Sequence, residues 1–413
     1  MSIRVSERLR LSLLALGSVA AVYVVVIVAL LSLASDAESS GSVYPYKSQD
    51  WLRYQLPSLW PTGGEPLLLL TGPSTARENL LLEDFAEAFD DHRVFQGGLS
   101  LGTLGDVMAS LAYVEQAFGG AALPHILVLG VSPRFMAEIP EQRPLAQGFE
   151  TYSNRFRVPG GVPTGFELEP KSPLEGAAAR VRFLVTQQTP RYQAVVVWGL
   201  AQLLESGAGS WLIDSRPARW LLSSRLGTRL LPPGAIRQGP AAHLRQLVSP
   251  YKYRGAERLD DATLAGWLDD PTSWWRDVYQ WDPARDSAAV RDRVLSLFAF
   301  AERHGIDLYV VNLPERSLSR QRYADGFNER FHRFLAASFD PLPVLDLRCM
   351  LPDEQFHDAE HARFAGARKI TERTLEFVED LRYNDAALDR RHVGELAERW
   401  SDYGCVDAPL VIS

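Results

Sequence analysis

Cysteine is almost missing from this chain: among 413 residues only Cys349 and Cys405 carry a thiol. Two cysteines are too few for a disulfide-rich scaffold, and their spacing is not that of a zinc site. A single bridge in an exported domain and two unpaired structural thiols both remain open. Basic tracts are missing as well. The formal charge is −8 and no lysine- and arginine-rich run is interleaved with aromatics, so composition gives no reason to expect nucleic acid as a partner. No internal repeat is visible, which argues against a solenoid. With 46% apolar residues the chain can bury a sizeable core, as one large domain with insertions or as two domains.

Charge is absent altogether from Leu11 to Ala34, a run long enough to span a bilayer. Arg4, Arg8 and Arg10 precede it, and Asp36 and Glu38 follow. The positive-inside rule places residues 1–10 in the cytoplasm, makes 11–34 a transmembrane anchor and puts the rest outside. Ser32-Leu-Ala34 has the form of a cleavage site, but the apolar run exceeds the usual signal-peptide core, which favours a retained anchor. A buried helix of the globular domain would need a polar face, and this stretch has none. Residues 35–65 form a tether rich in Ser, Pro and Tyr, with a short amphipathic piece at Asp50-Trp-Leu-Arg-Tyr-Gln-Leu. Extended, the tether reaches on the order of 100 Å.

Beyond the tether, apolar runs predict strands at Leu67–Thr71, Arg93–Gln96, Ile126–Val131, Asp307–Asn312 and Pro343–Leu347, with helical patterns between most of them. Five short strands alternating with helices predict an α/β fold, a doubly wound five-stranded parallel sheet. The clearest helix has Val290, Val294, Leu297, Phe298 and Ala301 on one face, with Asp286 to cap its start and Gly305 its end. Another follows His361, with Phe364, Ala367, Ile370, Thr374, Phe377 and Leu381 at helical steps. The third and fourth strands lie about 170 residues apart, far beyond an ordinary connection. The expected organisation is therefore a first part at 66–135, a mainly helical inserted subdomain or lid at 136–285, a second part at 286–382 and a tail at 383–413. Glu141 to Gly176 reads as loop and Ala177 to Ser206 as helix. Seven of the ten tryptophans fall in the insertion: Trp198, Trp211, Trp220, Trp267, Trp274, Trp275 and Trp281. Most are expected in its core. Trp274, Trp275 and Trp281, flanked by Asp-Pro loop signals, are the better candidates for stacking on a sugar or covering an acyl chain.

Chemistry concentrates in two places. Leu67-Leu-Leu-Leu-Thr-Gly-Pro-Ser74 reads as a buried strand, a tight turn and a helix opening at a serine, with Thr75-x-x-Glu78 in the form of a capping box. Ligands of open α/β sheets sit beyond the carboxyl ends of the strands, where Ser74 would be either a cap or a nucleophile. The other place is Phe356-His357-Asp358-Ala-Glu-His361, followed by a helix containing Gly366. His357, Asp358 and His361 are also metal-ligand types, but no second cluster of suitable spacing accompanies them, so neither a metal nor another cofactor is expected.

A serine after the first strand, a glycine-bearing turn after the second and a late Asp-x-x-His resemble the SGNH, or GDSL-type, hydrolase superfamily. The resemblance covers about 66–132 and 306–382. It is nearest to the membrane-anchored branch that includes D-alanyl-transfer and polysaccharide O-acetylation proteins. It implies a flavodoxin-like sheet and a triad in which Ser74 is the nucleophile, His361 the base and Asp358 the group that orients the base. It also implies an oxyanion hole from the N–H groups of Ser74 and Gly102 and an asparagine after the third strand. There the chain departs from the pattern, with Gly130-Val-Ser132-Pro-Arg134. Ser132, or Asn312 at the end of the fourth strand, stands as the replacement donor. Arg134 and Arg316 are candidates to grip a hydroxyl-rich or anionic acceptor. The implied function is that of a membrane-anchored extracytoplasmic serine acyltransferase or esterase. It would act on an acyl ester of an envelope glycan or polymer, take acyl donor and glycan as partners, and work beside a membrane-bound acyl-transfer partner. The alternative is a non-catalytic envelope protein that keeps the fold to bind a polymer or scaffold a complex.

Overall fold

The computed structural model describes residues 65–99, 102–137, 156–157, 166, 168–175, 258–270, 273, 275–285, 288–340, 342–383 and 411–412. They belong to one compact unit spanning Tyr46–Arg182 and Tyr251–Ser413. The expected anchor at 11–34, the tether, Ala177–Ser206 and Trp198, Trp211, Trp220 and Trp274 lie outside the described residues. Among the described residues no helix is long and apolar enough to cross a membrane.

Five parallel strands build the sheet: β1 (Leu67–Pro73), β2 (Arg93–Leu99), β3 (Ile126–Val131), β6 (Asp307–Asn312) and β7 (Val344–Asp346). They stand in the order β2-β1-β3-β6-β7, and β8 (Val411–Ile412) adds an antiparallel edge beside β7. A short antiparallel pair, β4 (Phe156–Arg157) with β5 (Glu169–Pro170), stands apart, inside the stretch expected to be loop. The first two strands run two and three residues beyond their expected ends. Gly72↔Gly98 and Pro73↔Leu99 continue the β1–β2 register through what the sequence pattern reads as a turn.

Side chains alternate between the two faces with period two, so each apolar strand feeds two cores. Leu67, Leu69, Leu127, Leu129, Val131, Val310 and Val344 enter one core. It is closed by α3 (Leu104–Phe118), α4 (Pro133–Ala137), α5 (Asp261–Leu268), α6 (Trp275–Gln280), α7 (Ala288–His304) and α9 (Phe327–Phe339). Leu68, Leu70, Ile126, Val128, Val311 and Leu345 enter the other. It is closed by α1 (Ser74–Asn79), α2 (Leu82–Ala88) and α10 (Phe364–Tyr383). Each buried leucine contributes about 1.5–3 kcal/mol. From the end of the long interval, Leu264, Leu268, Trp275, Val278 and Trp281 belong to the first core.

Helix α7 buries Val290, Val294, Leu297, Phe300 and Ala301 and ends at Gly305, whose φ of +63° suits glycine. Phe298 is only partly buried at the edge of that face. One buried ionic group lies where β7 leaves the sheet. Arg348 Nε donates to Glu315 Oε2 (2.7 Å), Nη1 donates to Asn328 Oδ1 (2.7 Å), and the guanidinium lies over Tyr323, Phe327 and Phe331 at 5.0, 5.2 and 5.5 Å. The neighbouring Cys349 is disulfide-bonded, and Cys405 is the only other cysteine in the chain.

Candidate active site

Ser74 is carried to the carboxyl edge of the sheet by Gly72. That residue has φ +131°, and a Cβ there would stand 2.2 Å from Gly130 O on β3. Only glycine lets β1 pass this close to β3 before α1 starts. The helix opens at Ser74 itself, with Pro73 at the cap and no side-chain cap bond. The expected capping box is therefore not formed: Glu78 Oε1 accepts from Arg77 Nε and Nη2 instead.

His361 arrives from the other end of the chain on a tight backbone fold. Phe356 and Ala362 form an antiparallel bridge, and the His357 N–H donates to His361 O at 2.8 Å. Inside this fold Asp358 Oδ1 accepts from the backbone N–H groups of Glu360 (3.1 Å) and His361 (2.9 Å). The three-residue spacing thus lets one carboxylate hold the loop and the ring together: His361 Nδ1 lies 3.0 and 2.9 Å from Asp358 Oδ1 and Oδ2. His361 Nε2 lies 2.9 Å from Ser74 Oγ. Serine, histidine and aspartate are 6, 9 and 6% exposed, so the chain of bonds runs at the protein's edge but largely out of water.

Arg134, on α4 after β3, is buried in the same place. Its Nη2 donates to Ser74 Oγ at 3.1 Å and meets Glu360 Oε1 at 3.1 Å. Glu360 is 2% exposed, and among the described residues its Oε2 has no hydrogen-bond partner. Asn79, at the end of α1, brackets His361 from both sides. Its Oδ1 accepts from the Ala362 N–H (3.0 Å) and its Nδ2 donates to Glu360 O (3.3 Å). Thr371 of α10 locks that turn by donating to Asn79 O (3.1 Å) and accepting from the Leu81 N–H (2.8 Å). Neither Asn79 nor Glu360 stands out in the sequence. The only signals are Asn79's place on the serine's own helix and Glu360's place beside His361.

Five expected site residues make other contacts. The Gly102 N–H closes a turn onto Leu99 O at 3.1 Å, and a Cβ on Gly102 would stand 2.5 Å from Leu99 Cβ. Asn312 Nδ2 donates to Asp346 Oδ1 at 2.8 Å, across to β7. Arg316 is fully buried: its Nη1 donates to Leu259 O (3.0 Å), its Nη2 to Asp261 Oδ1, and its backbone N–H to Ala359 O (2.9 Å). It fastens the 259–261 segment to the histidine loop, which also takes the Leu259 N–H on His357 O at 2.8 Å. Trp275 is fully buried, stacked on Tyr279 with centroids 5.6 Å apart, so it packs the core and presents no face to a ligand. Ser132 accepts from the Phe135 N–H at 3.3 Å and so caps α4.

Electrostatics follow from this burial. Desolvation raises the Asp358 carboxyl, but the charge and hydrogen bonds of His361 and the two backbone donors outweigh it and hold Asp358 well below the carboxylate range. Burial lowers the His361 imidazole, yet the carboxylates of Asp358 and Glu360 outweigh it and hold it above its ordinary value. Burial raises Glu360 against the opposing pull of Arg134. Among the described residues no group of three or more His, Cys, Asp and Glu side chains is placed to hold a metal ion. No family model matches the chain, and no curated protein matches it.

Proposed function

We propose that this chain is an SGNH-like serine acyltransferase or esterase, anchored in a membrane with its catalytic unit outside the cytoplasm, acting on acyl esters of an envelope glycan or polymer. The observation that carries the proposal is the contact of His361 Nε2 with Ser74 Oγ at 2.9 Å, with Asp358 on the opposite ring nitrogen. Serine is a weak nucleophile unless a base takes its proton, and a base holds the right tautomer only when a third group fixes its other nitrogen. All three side chains stand at the carboxyl edge of a parallel sheet, where such folds bind ligands. The strand order, with β1 between β2 and β3, also supports the SGNH-like, flavodoxin-like reading. The glycan acceptor, a membrane-bound acyl-transfer partner and a lid over the strand ends rest on the sequence resemblance.

The test is covalent labelling of the full-length chain with a fluorophosphonate probe. The adduct is expected on Ser74, found by peptide mapping, and is expected to vanish in Ser74→Ala. An unreactive native protein would favour the non-catalytic envelope protein.

Location is tested separately. Because three arginines precede the apolar run and two acidic residues follow it, a reporter active only outside the cytoplasm is expected to work when fused after Ser413. Activity of a reporter that works only inside would overturn the anchor's orientation.

A further inference from the structure

The expected oxyanion donors leave a gap around Ser74. The Gly102 N–H goes to Leu99 O, the Asn312 amide is turned to Asp346 on β7, and Ser132 Oγ accepts from the Phe135 N–H at the start of α4. The other group at Ser74 Oγ, besides the His361 ring, is a guanidinium: Arg134 Nη2 donates to it at 3.1 Å. Taking the serine nucleophile as proposed above, we infer that Arg134 is a catalytic residue, the charged donor that stabilises the oxyanion, with Glu360 as the positioning residue that holds it there.

The chemistry balances without any further group. The Oγ lone pair attacks the ester carbonyl carbon and forms the Oγ–C bond, while the carbonyl π pair moves onto oxygen. The Oγ proton passes to His361 Nε2. In collapse, the oxyanion re-forms the carbonyl, the bond to the leaving alkoxide breaks, and that oxygen takes the proton from Nε2. Water or an acceptor hydroxyl then repeats the sequence on acyl-Ser74. The oxyanion arises one bond beyond Oγ, so a donor 3.1 Å from Oγ in the resting site is within reach of it. Arginine keeps its charge throughout the working pH range and offers several donors from one rigid plane. At 7% exposure its field is little screened by water. The ion pair with Glu360 fixes the guanidinium before the reaction starts, which is what preorganised stabilisation requires.

The experiment measures the rate of Ser74 acylation by an activated ester, and of fluorophosphonate labelling, in the full-length chain. Arg134→Met combined with Glu360→Gln removes both charges, so no buried carboxylate is left without its cation, and a melting curve reports folding. Losing one such donor lowers the rate by about 10²–10³-fold, and Arg134→Lys is expected to fall between that variant and the native chain. In Arg134→Ala, where Glu360 still offers its carboxylate, millimolar guanidinium ion is expected to restore part of the rate while leaving the native rate unchanged. A merely structural arginine would show no such rescue. Native-like acylation in the folded double variant would overturn the inference and leave the serine reading intact. A native chain inert to both reagents would overturn the two together.

Discussion

Replacing His361 with alanine is expected to lower the acylation rate of Ser74 by on the order of 10⁶-fold, the scale seen when nucleophile or base is removed from such a unit. Asp358 cannot take over as base, because it sits at the ring nitrogen opposite the one that meets Ser74. Asp358→Asn is expected to cost about 10⁴, since an amide stabilises the wrong tautomer and no longer supports the imidazolium. The pH profile separates the roles. His361 must be neutral to accept the Ser74 proton, and its folded-state pKa is held above 6.5 despite burial by Asp358 and Glu360. The acylation rate should therefore rise with pH, with a midpoint above 6.5. In Asp358→Asn the opposing carboxylate is gone while burial remains, so the midpoint should move down. A midpoint that rises or stays put would show that the titrating base is not this histidine.

The largest effect on stability is expected away from the site, at Arg348. Its guanidinium is 2% exposed and boxed by three aromatic rings, with Glu315, itself fully buried, as its ionic partner. Arg348→Met fits the volume but leaves the buried Glu315 carboxylate without its arginine, with the Tyr323 hydroxyl still donating to Oε1 at 2.9 Å, and breaking a buried pair from one side costs about 3–5 kcal/mol. For a domain of this size that is roughly 6–20 °C in Tm. Adding Glu315→Gln removes the uncompensated charge and is expected to recover part of the loss. Urea unfolding of the two variants checks this, and equal midpoints for the single variant and the native chain would mean that the pair contributes nothing.

Much of the framework is legible in the residues because the strands of a two-sided sheet are nearly continuous apolar runs. Ile126–Val131 and Asp307–Asn312 come out to the residue, and Pro343–Leu347 shortens only at its ends. The β1 and β2 ends do not come out, because Gly72-Pro73 carries the chemistry of a turn while pairing as strand. Two residues such as Val411-Ile412 hold no pattern at all. The serine, aspartate and histidine are picked out through the resemblance to the SGNH motifs, since spacing alone cannot bring residue 74 beside residue 361. Arg134 cannot be placed that way. The sequence offers it only as a residue to grip an acceptor, and its contact with Ser74 depends on burial against Glu360, more than two hundred positions later. Trp275 errs in the opposite direction, since loop signals beside an aromatic say nothing about which way its ring is turned.

Ser74 and His361 stand 287 positions apart, and Asn79 holds the histidine loop across nearly the same distance. A ribosome therefore releases the nucleophile long before its base exists, and the first strands, helices and glycine turn leave the tunnel as a fragment with no proton acceptor at its serine. Activity on this reading begins only when β7 and the histidine loop behind it have been made and docked. Because those contacts span most of the chain, their closure carries a high loop-entropy cost and is expected late in folding. A nascent protein on this plan is chemically silent at Ser74 until the histidine loop has arrived and closed on it.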